Sequence, residues 1–589
     1  MNGYVKDAAA KATNLVILQY GHAVCKMRSM KMCSMKNNWL VAILGLGLCS
    51  CQGMFKNEAS SNAEDSTAGR SISVAARDMS INAQNAYNDL FLDSAAVEAY
   101  IQKGKLSDST ARGMRNFYNT RNFQYAWLSK TGLTEQGRGF WNLYDYNREG
   151  KEQAPINNDS LMQRMDTLLN KDTVAVAAND SSFVHTELAL TQHFIELAQR
   201  GQDSTINYAM IQTFFPVKKS DLMQYADSIV NKQQQDSAYA GSNAAYAAMK
   251  EHLKKYYDAA KSGGWQPIPA TAKGLKKGSS SPAVAALKKR LQLTGDLTGG
   301  DTTAVYNDSV VTAIKNYQQR HGLLPSGVVN DSTIQSLNVP VEKRIEQLVL
   351  NMNRMLWTPQ IKDSNLIQVN IPEYMLYVHA DSGKAMDMQV IVGRGGTNTM
   401  MFNGDLNQIV FSPYWNVPES IVRDEIMPKM KNNPNYLKSQ NMEIVNQKDS
   451  IPVIRQLPGA KNSLGRVKFL FPNNYDIYLH DTPDKNLFAR KDRALSHGCI
   501  RVAKPEELAA YLLRGQSEWT PEKIREAMNS GKEQTVKLNN PVPVAITYYT
   551  AWVDRNGQLN FRDDVYQHDD RTARMMFTNS ASRGDVAGR

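Results

Sequence analysis

The side chains with most chemical capability lie between His480 and Arg501. The chain reads His480-Asp481-Thr482 and, after a polar, charged segment, Leu495-Ser496-His497-Gly498-Cys499-Ile500-Arg501. A thiol, two imidazoles and a guanidinium meet here, and Cys499 is the only cysteine after residue 51. A lone Cys with His close by is a candidate nucleophile. His480 closes the strand-like run Tyr478-Leu479-His480, and the nineteen-residue step to Cys499 is long enough for a loop to fold back and set imidazole beside thiol. Next to an imidazolium, the ordinary thiol pKa of ~8.5 falls, and the thiolate can carry acyl transfer through a thioester. Gly498 lets the backbone turn tightly, so the N–H groups of Gly498 and Cys499 can face a tetrahedral oxyanion, worth ~3 kcal/mol per donor. Arg501 suits bidentate capture of a carboxylate. Spacing alone does not rank His480 over His497 as the base.

These groups need strands to hold them. Leu366–Ile371, Tyr374–Val378, Met388–Arg394 and Gln408–Phe411 are short, β-branched and separated by Pro, Asp-Ser-Gly and Gly-Gly turns, which predicts an antiparallel sheet. Strands return at Val467–Phe471 and Ile477–His480, with a helix over Pro505–Leu513 and a last strand near Val542–Tyr549. Residues 419–460, polar and carrying Pro and helical fragments, read as a capping insertion over a sheet edge. Ahead of the sheet, Ile345, Leu348, Val349, Met352 and Leu356 line one side of a helix that links it to the preceding domains.

Length, charge and the N-terminus bound the rest. The chain has 589 residues, 42% hydrophobic and 21% charged, which predicts several globular units. Residues 1–50 hold +5 of the net +11, and no dense basic patch with interleaved aromatics follows, so nucleic acid is not an expected partner. Residues 1–34 resemble neither a fold nor a signal, and Met30, Met32 or Met35 are candidate true starts. Residues 35–50 have the basic start and short apolar run of a signal peptide, ending in Leu48-Cys49-Ser50-Cys51, which resembles a lipobox with Cys51 as the lipidated residue. Acylation there leaves Cys499 as the single free thiol of the mature chain. Residues 51–82 read as a flexible tether, 83–270 as a helical scaffold without a catalytic constellation, and 571–589 as a disordered tail. His185 and His193, eight apart, share a helix face but lack further ligands nearby, so no metal is expected.

Two resemblances organise these readings. Within 275–340, Leu291-Gln292, Ala313-Ile314, Tyr317-Gln318, Gly322-Leu323, Gly327-Val328 and Thr333 to Leu337 resemble the small three-helix peptidoglycan-binding domain, with Asp308 or Ser309 placed to cap its second helix. His480, a gap of fifteen, then Ser496-His497-Gly498-Cys499 closely resembles the signature of the YkuD-type L,D-transpeptidase catalytic domain. Val392-Gly393-Arg394, Ser412 to Pro418 and Tyr549 to Asp554 resemble the larger YcbB-like subgroup, from which Thr399-Met400 departs where Thr-Pro is usual. The implied architecture is multidomain α+β: helical scaffold, three-helix module, a linking helix at 341–360, and a mainly β catalytic domain at 361–570 with its capping insertion.

The resemblance implies Cys499 as nucleophile, His480 as general base oriented by the Asp481 carbonyl, Gly498 as an oxyanion donor and His497 in support. Arg501, Tyr478, Trp415 and Ser496 become substrate-site candidates. It further implies 3→3 cross-linking of peptidoglycan stem peptides with release of D-Ala, acylation of Cys499 by carbapenems, no cofactor and no metal. Peptidoglycan, stem peptide and glycan, is the implied partner, and a membrane reached through the lipid at Cys51 is expected as well, the outer membrane rather than the inner. Alternatives are an L,D-carboxypeptidase or cross-link hydrolase on the same stems, and a non-catalytic wall-binding lipoprotein.

Overall fold

A computed structural model describes residues 74–149, 159–169, 173–199, 216–231, 243–358, 365–380, 383–448 and 450–578. All belong to one unit, Ile72–Arg589. The segment 1–34, the signal peptide, Cys51 and most of the tether lie outside the described residues. The tether reading is corrected at its end. The Ala75 N–H donates to Asn116 Oδ1 at 2.7 Å, and Ile81 is buried, so the scaffold satisfies polar groups that the composition assigns to solvent.

The scaffold is helical: Ser94–Gly104, Asp108–Asn119, Glu135–Glu149, Asp159–Leu169, Ser181–Gln199, Leu222–Asn231 and Ala244–Lys261. Between the second and third of these helices, β1 (Leu128–Ser129) and β2 (Gly132–Leu133) form a small hairpin. Its approach is fixed by the buried Glu187, whose carboxylate accepts the backbone N–H groups of Ala126 (2.6 Å), Trp127 (3.0 Å) and Leu128 (3.1 Å). Burial raises that carboxyl to about 7. His193 is buried and stacks on Tyr144, whereas His185 meets Tyr100 edge-on, so the two histidines serve packing.

The three-helix module comprises Pro282–Leu293, Asp308–Arg320 and Asp331–Leu337. Asn307, not Asp308 or Ser309, caps the second helix, its side chain accepting the Val310 N–H. The motif residue Gln318 is buried and bonds Val328 O (2.9 Å), Thr333 Oγ1 (3.0 Å) and Gly327 N (2.9 Å), which makes it a framework residue. The module is docked rather than strung. Arg320 pairs with Asp296, the side chains 6% and 3% exposed, and donates to Leu559 O at 3.0 Å. His321 stacks on Tyr317 and on Phe561.

The linking helix is Val341–Leu356. Near its end the buried Arg354 pairs with both Glu135 of the scaffold and Asp569 of the C-terminal helix His568–Met576. That helix corrects the disordered tail expected from residue 571: Met576 and Phe577 are buried, and Phe577 bridges to Ser220.

The remaining strands are β3 (Leu366–Asn370), β4 (Met375–Ala380), β5 (Gly383–Gly393), β6 (Phe402–Phe411), β7 (Trp415–Asn416), β8 (Met442–Lys448), β9 (Ile451–Gln456), β10 (Val467–Leu470), β11 (Leu479–His480), β12 (Ala494–Ser496), β13 (Ile500–Val502), β14 (Gln534–Thr547), β15 (Ala551–Val553) and β16 (Leu559–Phe561). The main sheet runs β12-β5-β13-β11-β10-β6-β14-β3-β4, and β4 also pairs with β5, so the sheet closes on itself. Alternate residues such as Ile367, Val369, Leu376, Val378, Leu479 and Ile500 fill its core, together with Leu508 and Ile524 from two covering helices. Pairings β11–β13, β12–β5 and β14–β3 are parallel, so the expected antiparallel sheet is mixed.

The capping insertion holds the helical fragments expected at 419–460, among them Met427–Asn432 and Tyr436–Ser439, and adds strands to them. It starts at Trp415 and carries a three-stranded antiparallel sheet, β7-β9-β8, over a small core of Val417, Val422, Ile426 and Ile454. Residues Glu443, Asn446, Gln447 and Lys448 lie along β8, which explains why the stretch lacks the apolar signal of a strand.

Candidate active site

Strand register assembles the site. β11 and β13 are parallel, with Leu479 opposite Ile500 and His480 opposite Arg501. The Ile500 N–H donates to Tyr478 O at 3.1 Å, which continues the pairing one step and sets Tyr478 beside Cys499. Because Leu479 and Ile500 point into the core, the period of two turns Tyr478, His480, Cys499 and Arg501 onto the opposite, common face. The nineteen-residue loop therefore does bring His480 and Cys499 to adjoining strands. The thiol donates weakly to Asp476 O at 3.5 Å, and the Tyr478 ring meets His480 edge-on.

His480 is held rigidly. Its Nδ1 donates to the Asp481 carbonyl at 2.5 Å, which fixes the tautomer and leaves Nε2 the acceptor nitrogen. The Asp481 carboxylate in turn accepts from the Arg466 N–H (2.9 Å) and from Lys485 Nζ (2.5 Å). Gly465, at φ +64°, leaves space for that carboxylate; a Cβ there would lie 2.4 Å from it. Neither Gly465 nor Lys485 carried a sequence signal.

Electrostatics correct the expected thiolate–imidazolium pair. Burial, and then the nearby Arg501 charge, pull the His480 imidazole down to about 3. Burial pushes the Cys499 thiol above its ordinary value, although Tyr478 and Arg501 act the other way. The pair rests as neutral thiol and neutral imidazole, and charge must separate only when the thiol attacks. His480 stays unprotonated in the folded chain until pH approaches about 3, so the kcat/KM profile is expected to lack an acid limb near pH 6.5. Alkylation of Cys499 by iodoacetamide should also rise through a midpoint above the ordinary thiol value. A rate plateau already reached at pH 7 would contradict this.

The turn Ser496–Cys499 corrects three assignments. Gly498, at φ +119°, needs to be glycine, but its N–H donates to Ser496 Oγ at 3.1 Å and is not free for an oxyanion. That leaves the Cys499 N–H as the donor at the thiol. Ser496 is buried and its hydroxyl also donates to Cys499 O at 2.6 Å, so it staples the turn and presents nothing to substrate. Thr399 braces the same turn, donating to Gly498 O (2.7 Å) and accepting the Gly393 N–H (2.8 Å).

His497 turns toward the insertion instead of the thiol. Its Nε2 lies 2.8 Å from Glu425 Oε1 and 3.1 Å from Arg394, tying the motif to the stretch Val422–Ile426. These groups are partly exposed, so the contact contributes less than about 1 kcal/mol. Glu425→Ala should leave the melting temperature nearly unchanged while hastening proteolysis within residues 415–456. Trp415 packs with the insertion core, and the structure does not bring it to the shared face. Arg501 makes one long pairing with Asp484 at 3.5 Å, and its buried Nε has no partner. Among the described residues no group of three or more His, Cys, Asp or Glu is arranged to hold a metal, and no helix is long and apolar enough to cross a membrane.

With this geometry in view, the comparisons with known proteins define the class. Residues 364–544 match the L,D-transpeptidase catalytic domain of the YkuD family, 112–253 a scaffold domain, and 280–337 a "Putative peptidoglycan binding domain". The chain is a multidomain α+β protein that carries a mainly β YkuD-type L,D-transpeptidase catalytic domain beside a peptidoglycan-binding domain. A curated Haemophilus influenzae protein named "Putative L,D-transpeptidase" is 34% identical over 258 residues, covering 40% of this chain and 52% of that one. The chain thus spans about half the length of this curated relative. Among solved structures, the L,D-transpeptidase of Xylanimonas cellulosilytica is 13% identical, with 48% of this chain and 99% of that chain covered and a TM-score of 0.15. That of Stackebrandtia nassauensis is 14% identical, covering 46% and 94%, with a TM-score of 0.19.

Proposed function

We propose that this protein is an L,D-transpeptidase of the bacterial cell envelope that joins peptidoglycan stem peptides by 3→3 cross-links. The single observation that carries the reading is the placement of Tyr478, His480, Cys499 and Arg501 on one face of two adjoining parallel strands, with His480 oriented by the Asp481 carbonyl. Arg501 receives a carboxylate of the donor stem. Cys499 Sγ attacks the carbonyl of the third stem residue, a diamino acid, while His480 Nε2 takes the thiol proton. The resulting oxyanion faces the Cys499 N–H. Collapse breaks the peptide bond, and the departing D-Ala amine takes the proton from His480. The side-chain amine of a second stem then attacks the thioester, loses a proton to His480 and leaves the thiol restored.

Because the resting pair is neutral, proton removal is coupled to attack and does not precede it. Carbapenems are expected to acylate Cys499 by the same chemistry. The lipobox at Cys51 supports a membrane anchor, in the outer membrane rather than the inner, holding the enzyme against the wall. The test is muropeptide analysis after incubating the protein, and its Cys499→Ala variant, with tetrapeptide stems. Dimers with 3→3 links, absent with the variant, support the transferase. Tripeptides alone would replace it by an L,D-carboxypeptidase. No turnover together with no carbapenem adduct would overturn both.

A further inference from the structure

A cleft of about 720 Å³ opens where four parts of the chain meet: the outer face of β3, β4 and β5, the β15–β16 hairpin, Asn243 of the scaffold and Gln319 of the three-helix module. None of Tyr478, His480, Cys499 and Arg501 lines it. Its size falls within the roughly 300–1,000 Å³ typical of small-molecule sites. Sheet periodicity builds one wall, because Ile367, Val369, Leu376 and Val378 fill the core and turn Gln368, Asn370 and Tyr377 outward.

The charges in the lining balance in sum. Lys384 pairs with Asp387 at 3.4 Å and Arg562 with Glu373 at 3.2 Å, while Arg555, which donates to His379 at 2.5 Å, is offset in sign by Asp554. The lining as a whole therefore favours neither an anion nor a cation. Hydrogen-bonding capacity is what remains. Glu373 has a side chain only 8% exposed; one oxygen accepts from the Tyr377 hydroxyl (2.9 Å) and Arg562, and the Asn370 side chain also supports the carboxylate. Its Oε2 makes no well-formed hydrogen bond, and an N–H or O–H seated in the cleft would complete it. Gln319 is exposed, and its amide both donates and accepts, the complement of hydroxyl and acetamido groups. Trp552 and Tyr377 add aromatic surface for the C–H face of a pyranose.

We infer that this cleft binds a neutral run of N-acetylated amino sugars, the glycan of the wall polymer, and so seats one strand against both the three-helix module and the catalytic sheet. The inference rests on the reading that the protein acts on peptidoglycan, and it assigns that polymer's sugar backbone a place apart from the thiol.

The probe is the N-acetylglucosamine tetramer, titrated into the full chain by calorimetry and tryptophan fluorescence. Saturable binding is expected, weakened about tenfold by Glu373→Gln and several-fold by the exposed Gln319→Ala, and unchanged by Cys499→Ala. Circular dichroism checks folding of each variant. Absence of tetramer binding, or equal binding by both cleft variants, would overturn the cleft while leaving tetrapeptide turnover intact. Tetramer binding lost in the cleft variants of a chain that turns over no tetrapeptide would uphold the cleft and sink the catalytic reading.

Discussion

Replacing Cys499 by Ala is expected to lower transpeptidation by at least about 10³-fold, to background, with the fold unchanged. Side-chain removal here deletes the only group on the shared face that can form a covalent acyl intermediate, and a reaction split into two steps by a nucleophile has no comparable route without it. The side chain is partly exposed and sits in a turn stapled by Ser496 and Thr399, so its loss leaves those bonds in place. Intact-mass spectrometry supplies the check. The parent should gain a carbapenem adduct and the variant none, with superimposable circular dichroism. Cross-linking that survived in Cys499→Ala would move the chemistry elsewhere in the molecule.

The largest effect on stability is expected from Arg354→Ala. Arg354 is 6% exposed and pairs with Glu135 and Asp569, while Asp569 also accepts from Thr550 Oγ1 at 2.6 Å. Truncation leaves two carboxylates buried without their cation, a loss of about 3–5 kcal/mol. Because the three partners belong to the scaffold, the linking helix and the C-terminal helix, the variant should loosen the joint between scaffold and sheet. A urea titration would show the lowered midpoint. An unchanged midpoint would mean that water or rearrangement already satisfies these carboxylates. Arg354→Met, which restores volume without charge, should not rescue it, since Glu135 and Asp569 remain unpaired.

What the sequence disclosed, and what it hid, follows from the range of each signal. Cys499 stood out in the sequence because a lone thiol is a local fact, whereas spacing left His480 and His497 unranked, and His480 with the Asp481 carbonyl came only from the family resemblance. The duties of Gly498, Ser496 and His497 were not legible, since each depends on where a hydroxyl or imidazole points after the turn is made. Ser496 takes up the Gly498 N–H, and His497 swings to Glu425, seventy-two residues away in the chain. The resting charge state was equally hidden, because desolvation by the folded surroundings outweighs the attraction that nearest neighbours suggest. Helical periodicity placed the scaffold and the linking helix, whereas polar β8 and the C-terminal helix gain their order from contacts far along the chain: Arg455 with Glu443 on the β8–β9 hairpin, and Phe577 with Ser220.

The sealed contact between Arg320, Asp296 and the Leu559 carbonyl has a consequence for how such a molecule would use a polymer. A wall-gripping module hung on a loose linker only raises local concentration, whatever spot it grips. Here the module is fixed to the hairpin by the bond from Arg320 to the Leu559 carbonyl and by His321 stacked on Phe561, and Arg562 beside that hairpin pairs with Glu373 next to the catalytic sheet. On the proposed function, the span from module to thiol would be a fixed length, so only stems at the matching interval along a glycan would be expected to reach Cys499.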